Sequence, residues 1–170
     1  METQGENRAS GRLDAAVSAF AAAHDELYAG IENETKVENL VRLAWDKYSQ
    51  VDISMPLLQR VLELEPDNIE ALTMLGRLAW LLADHVAAYG YVERAKRVAP
   101  DDRSVLMQEA FLSQDWDQRL SLYRRVLELY PDAEDARKNV QIMLETTDEG
   151  KRRSMLAWPP GQHPPDRPCL

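Results

Sequence analysis

At three places along the chain, a Pro-Asp step closes a stretch with a helical apolar pattern. The three prolines, Pro66, Pro100 and Pro131, are 34 and 31 residues apart. Proline disfavours helix at the residue before it, and aspartate is a good N-cap for a helix that follows. A stop and a restart at this interval predict a repeated helix–turn–helix unit.

The middle unit, residues 69–102, has the clearest pattern of small and large apolar positions. Gly76 and Ala88 would let two helices approach closely, while Leu75 and Val92 would fill the seam between them. The full set of pattern positions is Leu72, Leu75, Gly76, Ala79, Ala88, Val92, Ala95 and Pro100. At this spacing the unit resembles the tetratricopeptide repeat family. The resemblance implies an all-α fold, a right-handed α-solenoid of antiparallel helix pairs.

The two neighbouring units resemble the family less closely. In the first unit Arg42 stands where the family has glycine, and Ser54 stands where it has alanine. In the third unit Arg119 occupies the small-residue position, and the unit is three residues shorter, which predicts a clipped first helix ending near Ser113. Both departures concern the close contact within a helix pair.

The pattern divides the chain into four regions with eight helices. We expect a disordered N-terminus over residues 1–10 and an N-terminal half-repeat or capping helix over 11–32, with an apolar stripe of helical period. The repeat domain is expected over 33–148, as units 35–68, 69–102 and 103–133 and a capping helix over 134–147. Residues 149–170, with five prolines in the last twelve, are expected to form a Pro-rich flexible tail.

Charge and hydropathy exclude several classes of function. The net charge of −9 argues against a surface that neutralises phosphates, so we expect no nucleic-acid partner. No apolar run reaches the roughly 20 residues that span a bilayer, and residues 1–12 lack the apolar stretch of a signal peptide. We therefore expect no direct membrane insertion and a cytoplasmic location.

The sequence offers no converging set of catalytic groups. The histidines, His24, His85 and His163, lie in three separate regions, and no His or Cys spacing typical of a metal site is present. The single cysteine, Cys169, excludes an intramolecular disulfide. We therefore predict that the protein is not an enzyme and binds neither metal nor cofactor.

The resemblance instead implies a binding surface, because in tetratricopeptide proteins the first helix of each repeat lines a concave groove. The positions that would face this groove combine adaptable apolar side chains with one guanidinium. Some family members hold a ligand's terminal carboxylate with Lys, Arg and Asn side chains, but here Leu43, Met107 and Phe111 stand where such polar groups would be expected. A two-carboxylate clamp is therefore not expected. The predicted partner-binding residues are Asn39, Leu43, Met74, Arg77, Trp80, Met107 and Phe111.

The function predicted from this surface is that of an adaptor or assembly factor, which binds a peptide or helical segment of another protein. Two alternatives stay open: a small chaperone for secreted substrates, of the type III secretion class, and a structural subunit of a larger membrane or enzyme complex. The amphipathic N-terminal helix is expected to fold back in cis and leave a monomer, with a homodimer through this helix as the alternative.

Overall fold

The computed structural model describes residues 3–157, with side chains described from Ala15 onward. The described residues form nine α-helices and no strand. The helices are α1 Thr3–Asn33, α2 Val37–Asp46, α3 Val51–Leu64, α4 Ile69–Leu81, α5 His85–Val98, α6 Arg103–Leu112, α7 Trp116–Leu129, α8 Glu134–Glu145 and α9 Glu149–Met155. The predicted all-α fold is confirmed. The chain divides into two compact units, residues 1–60 and residues 61–170, and the division falls within α3.

Each Pro-Asp step forms a reverse turn with the proline as its second residue. The residue after the Pro-Asp pair donates its N–H to the carbonyl three residues earlier: Asn68 to Glu65 at 3.1 Å, Asp102 to Ala99 at 3.1 Å and Ala133 to Tyr130 at 3.0 Å. The fixed φ of proline suits this second position. The steps therefore separate helices as predicted.

The N-cap differs from the one predicted, because it lies one residue beyond the aspartate of the step. Asn68 Oδ1 accepts the Ala71 N–H at 2.9 Å, and Asp102 Oδ1 accepts the Ser104 N–H at 2.8 Å. At the third step Ala133 stands in this place and provides no side-chain cap. The aspartate of the step is the third residue of the turn, so it precedes the helix start.

Unit 61–170 repeats one packing scheme along the chain. Helices α4 and α5, α5 and α6, α6 and α7, and α7 and α8 pack against each other in sequence, and α4 also contacts α6. Buried clusters join three successive helices each: Leu72, Ala95 and Val105 connect α4, α5 and α6, while Ala110 and Tyr123 connect α6 and α7 to Met143 of α8. Helices α4 to α8 thus each pack against neighbouring helices of this unit.

Gly76 lies where α4 approaches two other helices. A Cβ at this position would lie 3.4 Å from Val92 Cγ2 and 3.6 Å from the Ala88 carbonyl oxygen on α5. On the α6 side it would meet Gln108 Oε1 at 2.9 Å, closer than side chains normally pack. A side chain at this position would therefore force the Gln108 side chain to shift, in agreement with the small residue predicted here.

Unit 1–60 consists of α1, α2 and the first part of α3. The Tyr28 hydroxyl donates to the Asp52 carbonyl oxygen at 3.4 Å, and Arg60 Nε donates to the Glu34 carbonyl oxygen at 3.4 Å. Ser54, predicted at a small-residue position, is fully buried on α3. These contacts tie α3 to α1 and to the turn after it.

Helix α1 is longer than the sequence predicted, since it begins at Thr3 within the ten residues expected to be disordered. The first proline of the chain is Pro56, so no proline interrupts the helix in this region. Of its predicted apolar stripe, Ile31 is buried, whereas Val17 and Phe20 are 60% and 70% exposed.

The segment expected to be a tail also contains a helix. Helix α9 covers Glu149–Met155, and its N-cap Asp148 accepts the Lys151 N–H at 2.7 Å. The first part of the segment expected to be a flexible tail is thus helical, and both the cap and the helix precede the first proline of the tail. The Pro-rich part, residues 158–170, lies outside the described residues. Among residues 3–157, no helix is both long and apolar enough to cross a bilayer.

Candidate functional site

Two neighbouring helices of unit 61–170 bring aromatic side chains together at their C-terminal ends. Trp80, near the end of α4, meets Phe111, near the end of α6, with ring centroids 5.4 Å apart and an interplanar angle of 81°. The other neighbour of Trp80 is His85, which stacks on it at 4.4 Å and 23°. We call these three residues the aromatic patch. The edge-to-face and stacked geometries are those that aromatic pairs prefer.

The aromatic patch is partly open to solvent. Phe111 is 46% exposed although it is a large apolar side chain. Further exposed apolar residues follow Trp80 along the chain, at the end of α4 and the start of α5: Leu81, Leu82 and Val86, at 68%, 54% and 64% exposed. Between them Ala83 adopts a left-handed φ of 60°, and this allows the chain to turn directly after α4. Apolar side chains thus accumulate on the solvent side of one turn.

Arg77 lies one helical turn before Trp80 on α4 and is exposed. In residues 15–157 its guanidinium has neither an ion pair nor a hydrogen bond to another side chain. The charge is therefore available to an acceptor outside this part of the chain.

The two predicted methionines occupy different environments. Met107 is half-buried and packs against the clusters formed by α6, α7 and α8. Met74 is only 2% exposed and belongs to the core. This burial contradicts the prediction that Met74 lines the groove. Most of α4 is covered by neighbouring helices, so the position next to the exposed stripe is buried as well.

Asn39 and Leu43, also predicted as groove residues, lie on α2 in unit 1–60, and both are half-buried. Asn39 Nδ2 donates to Glu34 Oε2 at 3.1 Å. The other oxygen, Glu34 Oε1, accepts the N–H groups of Thr35 at 2.9 Å and Lys36 at 2.8 Å. The hydrogen bonds from the Lys36 and Asn39 donors hold the pKa of Glu34 below its ordinary value. Asn39 therefore helps to start α2.

Arg119 is the feature that the sequence reasoning did not interpret. It stands at the small-residue position of α7, is 6% exposed, and donates from one guanidinium to the backbone carbonyl oxygens of Phe111, Ser113 and Met155. Burial lowers its pKa, and no carboxylate pairs with it among the described residues. The signal was present in the sequence, because a long cation at a small-residue position needs internal acceptors.

The acceptors of Arg119 connect the aromatic patch with the C-terminal part of the chain. Phe111 belongs to the patch, and Met155 is the last residue of α9. Arg152 of α9 adds a hydrogen bond from its Nε to the Thr146 carbonyl oxygen at 2.8 Å and lies 5.3 Å from the Trp116 ring centroid. Helix α9 is thus fixed beside the end of α6.

The arrangement has the chemistry of a binding surface. In the part of the chain with described side chains, no three His, Cys, Asp or Glu residues are placed to hold a metal ion. The site presents exposed aromatic and aliphatic side chains next to the guanidinium of Arg77. Aromatic residues and arginine are enriched at the anchor points of protein interfaces.

No protein-family model matches the chain, and no curated protein sequence does. Among solved structures, the chain is similar to a mutant of the O-GlcNAc transferase of Thermobaculum terrenum, with a TM-score of 0.58 and 24% sequence identity. The similarity covers 70% of this chain and 24% of that chain, so the matched part spans about a quarter of the other chain's length. Together with the succession of helix pairs, the likeness shows an all-α helical repeat fold of the tetratricopeptide type.

Proposed function

We propose that the protein is a non-catalytic adaptor or assembly factor, which binds a segment of a partner protein at the aromatic patch, Arg77 and Met107. The observation that carries the proposal is the Trp80–Phe111 pair. Two successive repeats each contribute a ring to it, and Phe111 is 46% exposed. The similarity to a repeat protein of this fold type supports a role in protein interactions. The proposal adds which surface of this chain contacts the partner.

The chemistry of the surface favours a partner segment with an apolar side chain next to a hydrogen-bond acceptor. Phe111 and the half-buried Met107 would contact the apolar group, since both side chains lie on α6 four residues apart and therefore on one helical face. Arg77 would donate to a carboxylate or a backbone carbonyl of the partner. Asn39 and Leu43 on α2 are not required for this contact.

Affinity capture with the full chain, followed by calorimetry on the partner it identifies, tests the proposal. We expect Phe111→Ala and Arg77→Ala each to weaken binding by about 1–3 kcal/mol, since few residues carry most of the energy of an interface. This is roughly a 5- to 150-fold change in Kd. Both variants should stay folded, because both side chains are exposed.

Leu144→Ala is the matched control. Leu144 is a large apolar residue on α8, 56% exposed in the same unit, and is not in the aromatic patch. It should retain the wild-type affinity. The proposal fails if Phe111→Ala and Arg77→Ala bind the same partner as tightly as Leu144→Ala does.

A further inference from the structure

The path of the chain after α9 starts beside the aromatic patch. The Arg119 guanidinium donates to the Met155 carbonyl oxygen and also to the Phe111 carbonyl oxygen. The main chain at the end of α9 is therefore close to the main chain at Phe111. Ala157, two residues further, is 8% exposed and therefore still packed. The last described residues are thus held next to the main chain of Phe111.

The sequence that follows has an unusual composition. Residues 158–168 read WPPGQHPPDRP, with five prolines among eleven residues and one positive and one negative charge. Proline-rich segments favour the polyproline II conformation, which rises about 3.1 Å per residue, so the eight residues 158–165 can span about 25 Å. This length is enough to cross a surface that begins at the attachment point.

Segments of this kind are bound by surfaces lined with aromatic side chains, because the rigid proline rings pack against flat rings at a small entropic cost. The aromatic patch offers such rings, with Phe111 46% exposed and Trp80 held between Phe111 and His85. The segment carries no net charge from Lys, Arg, Asp and Glu, so net charge does not attract it to the acidic remainder of the chain, whereas its proline and tryptophan rings can pack against the aromatic patch.

We propose that residues 158–168 of this chain bind in cis to the aromatic patch. The short tether keeps the segment at a high effective concentration beside the patch, and this favours it over a free proline-rich peptide. The segment then covers the surface assigned above to a partner protein, and the partner must displace it. Only this regulatory consequence rests on the proposed function; the cis contact itself does not.

The single cysteine, Cys169, provides the test, since a nitroxide can be attached there in the full chain without changing another residue. In an NMR relaxation measurement on the isolated protein, the nitroxide should broaden the amide signals at the C-terminal ends of α4 and α6. Phe111→Ala should remove most of the broadening at these two helix ends. The tail variant W158A/P159S/P160S, which alters only residues beyond Ala157, should have the same effect. Leu144→Ala should leave the pattern unchanged.

Three results would overturn the proposal: broadening that is centred on another part of the chain, broadening that survives both Phe111→Ala and the tail variant, or broadening that arises between molecules. The last is measured by mixing nitroxide-labelled chains with isotope-labelled Cys169→Ser chains, and it would indicate contact with a second copy. Because no partner is present in this experiment, its failure would leave the partner proposal standing. Conversely, loss of partner binding alone would not affect the cis contact.

Discussion

Gly76 and Gln108 lie so close together that a Cβ at position 76 would be 2.9 Å from the Gln108 side-chain oxygen. Gln108 is itself held in place, because it is 5% exposed and its Nε2 donates to the Thr73 carbonyl oxygen. The contact joins α6 to α4 across the unit. Two successive repeats are therefore joined by the Gln108 side-chain amide, which fits against α4 because position 76 has no side chain.

Bulk at position 76 should separate these helices. We expect Gly76→Leu to lower the free energy of unfolding by about 1–3 kcal/mol, the usual cost of overpacking. Chemical denaturation followed by circular dichroism measures this. Gly90→Leu is the control, because no atom lies within 4 Å of a Cβ at that position. Equal denaturation midpoints for Gly76→Leu and Gly90→Leu would contradict the close contact.

Arg119→Met should release α9. The substitution keeps an unbranched apolar side chain but leaves the carbonyl oxygens of Phe111, Ser113 and Met155 without this donor, at a cost of about 1–3 kcal/mol for such groups when buried. Hydrogen exchange should accelerate in residues 149–157 more than in α4 and α5. Arg124→Met, on the exposed side of the same helix, should exchange like the unmodified protein. Unchanged protection of α9 in Arg119→Met would show that the guanidinium does not hold it.

Ser54→Ala should stabilise the protein. The Ser54 hydroxyl is fully buried and has no hydrogen-bond partner among the described residues. An unsatisfied buried polar group costs about 1–3 kcal/mol, and alanine also has the higher helix propensity. We expect a gain of about 1 kcal/mol in the free energy of unfolding, measured against Ser121→Ala, which alters an exposed serine of α7. A loss of stability would mean that the hydroxyl has a bound acceptor or donor in solution.

Acid should weaken the start of α2 through Glu34. The backbone hydrogen bond from Lys36 and the side-chain hydrogen bond from Asn39 lower its pKa below the ordinary value of 4.5. Its contribution to stability is therefore fully present above pH 4.5 and is lost as the pH falls through the lower, folded-state pKa. Glu34→Gln should be less stable than the unmodified protein at neutral pH, and this difference should shrink on acidification. A difference between Glu34→Gln and the unmodified protein that does not shrink as the pH falls would contradict this role of the carboxylate.

The packing of the middle repeat could be predicted from the sequence because it depends on residue volume at fixed spacing. Gly76 and Ala88 both lie where α4 and α5 meet. The burial of Met74 could not be predicted in this way, since it depends on how many neighbours cover one helix. The same limit applies to Phe111, whose contact with Trp80 joins two helices that are not consecutive in the chain.

Arg119 shows why the C-terminal part of the molecule was harder to predict. A volume pattern treats an arginine at a small-residue position as a departure, and it contains no information about carbonyl oxygens on other segments. The acceptors of Arg119 are 6, 8 and 36 residues away along the chain. Only the folded path brings them together around one guanidinium, so α9 could not be assigned to the packed part of the chain from spacing alone.

Phe111 has two roles that use different parts of the residue, one a hydrogen bond to Arg119 and the other a ring contact with Trp80. The guanidinium bonds to the main-chain oxygen of Phe111, while the phenyl ring points to Trp80. Any amino acid at position 111 would offer the same oxygen, so the anchor does not depend on which side chain stands there. A substitution at position 111 can therefore change the side chain that the proposed binding surface presents without removing the carbonyl oxygen that Arg119 binds.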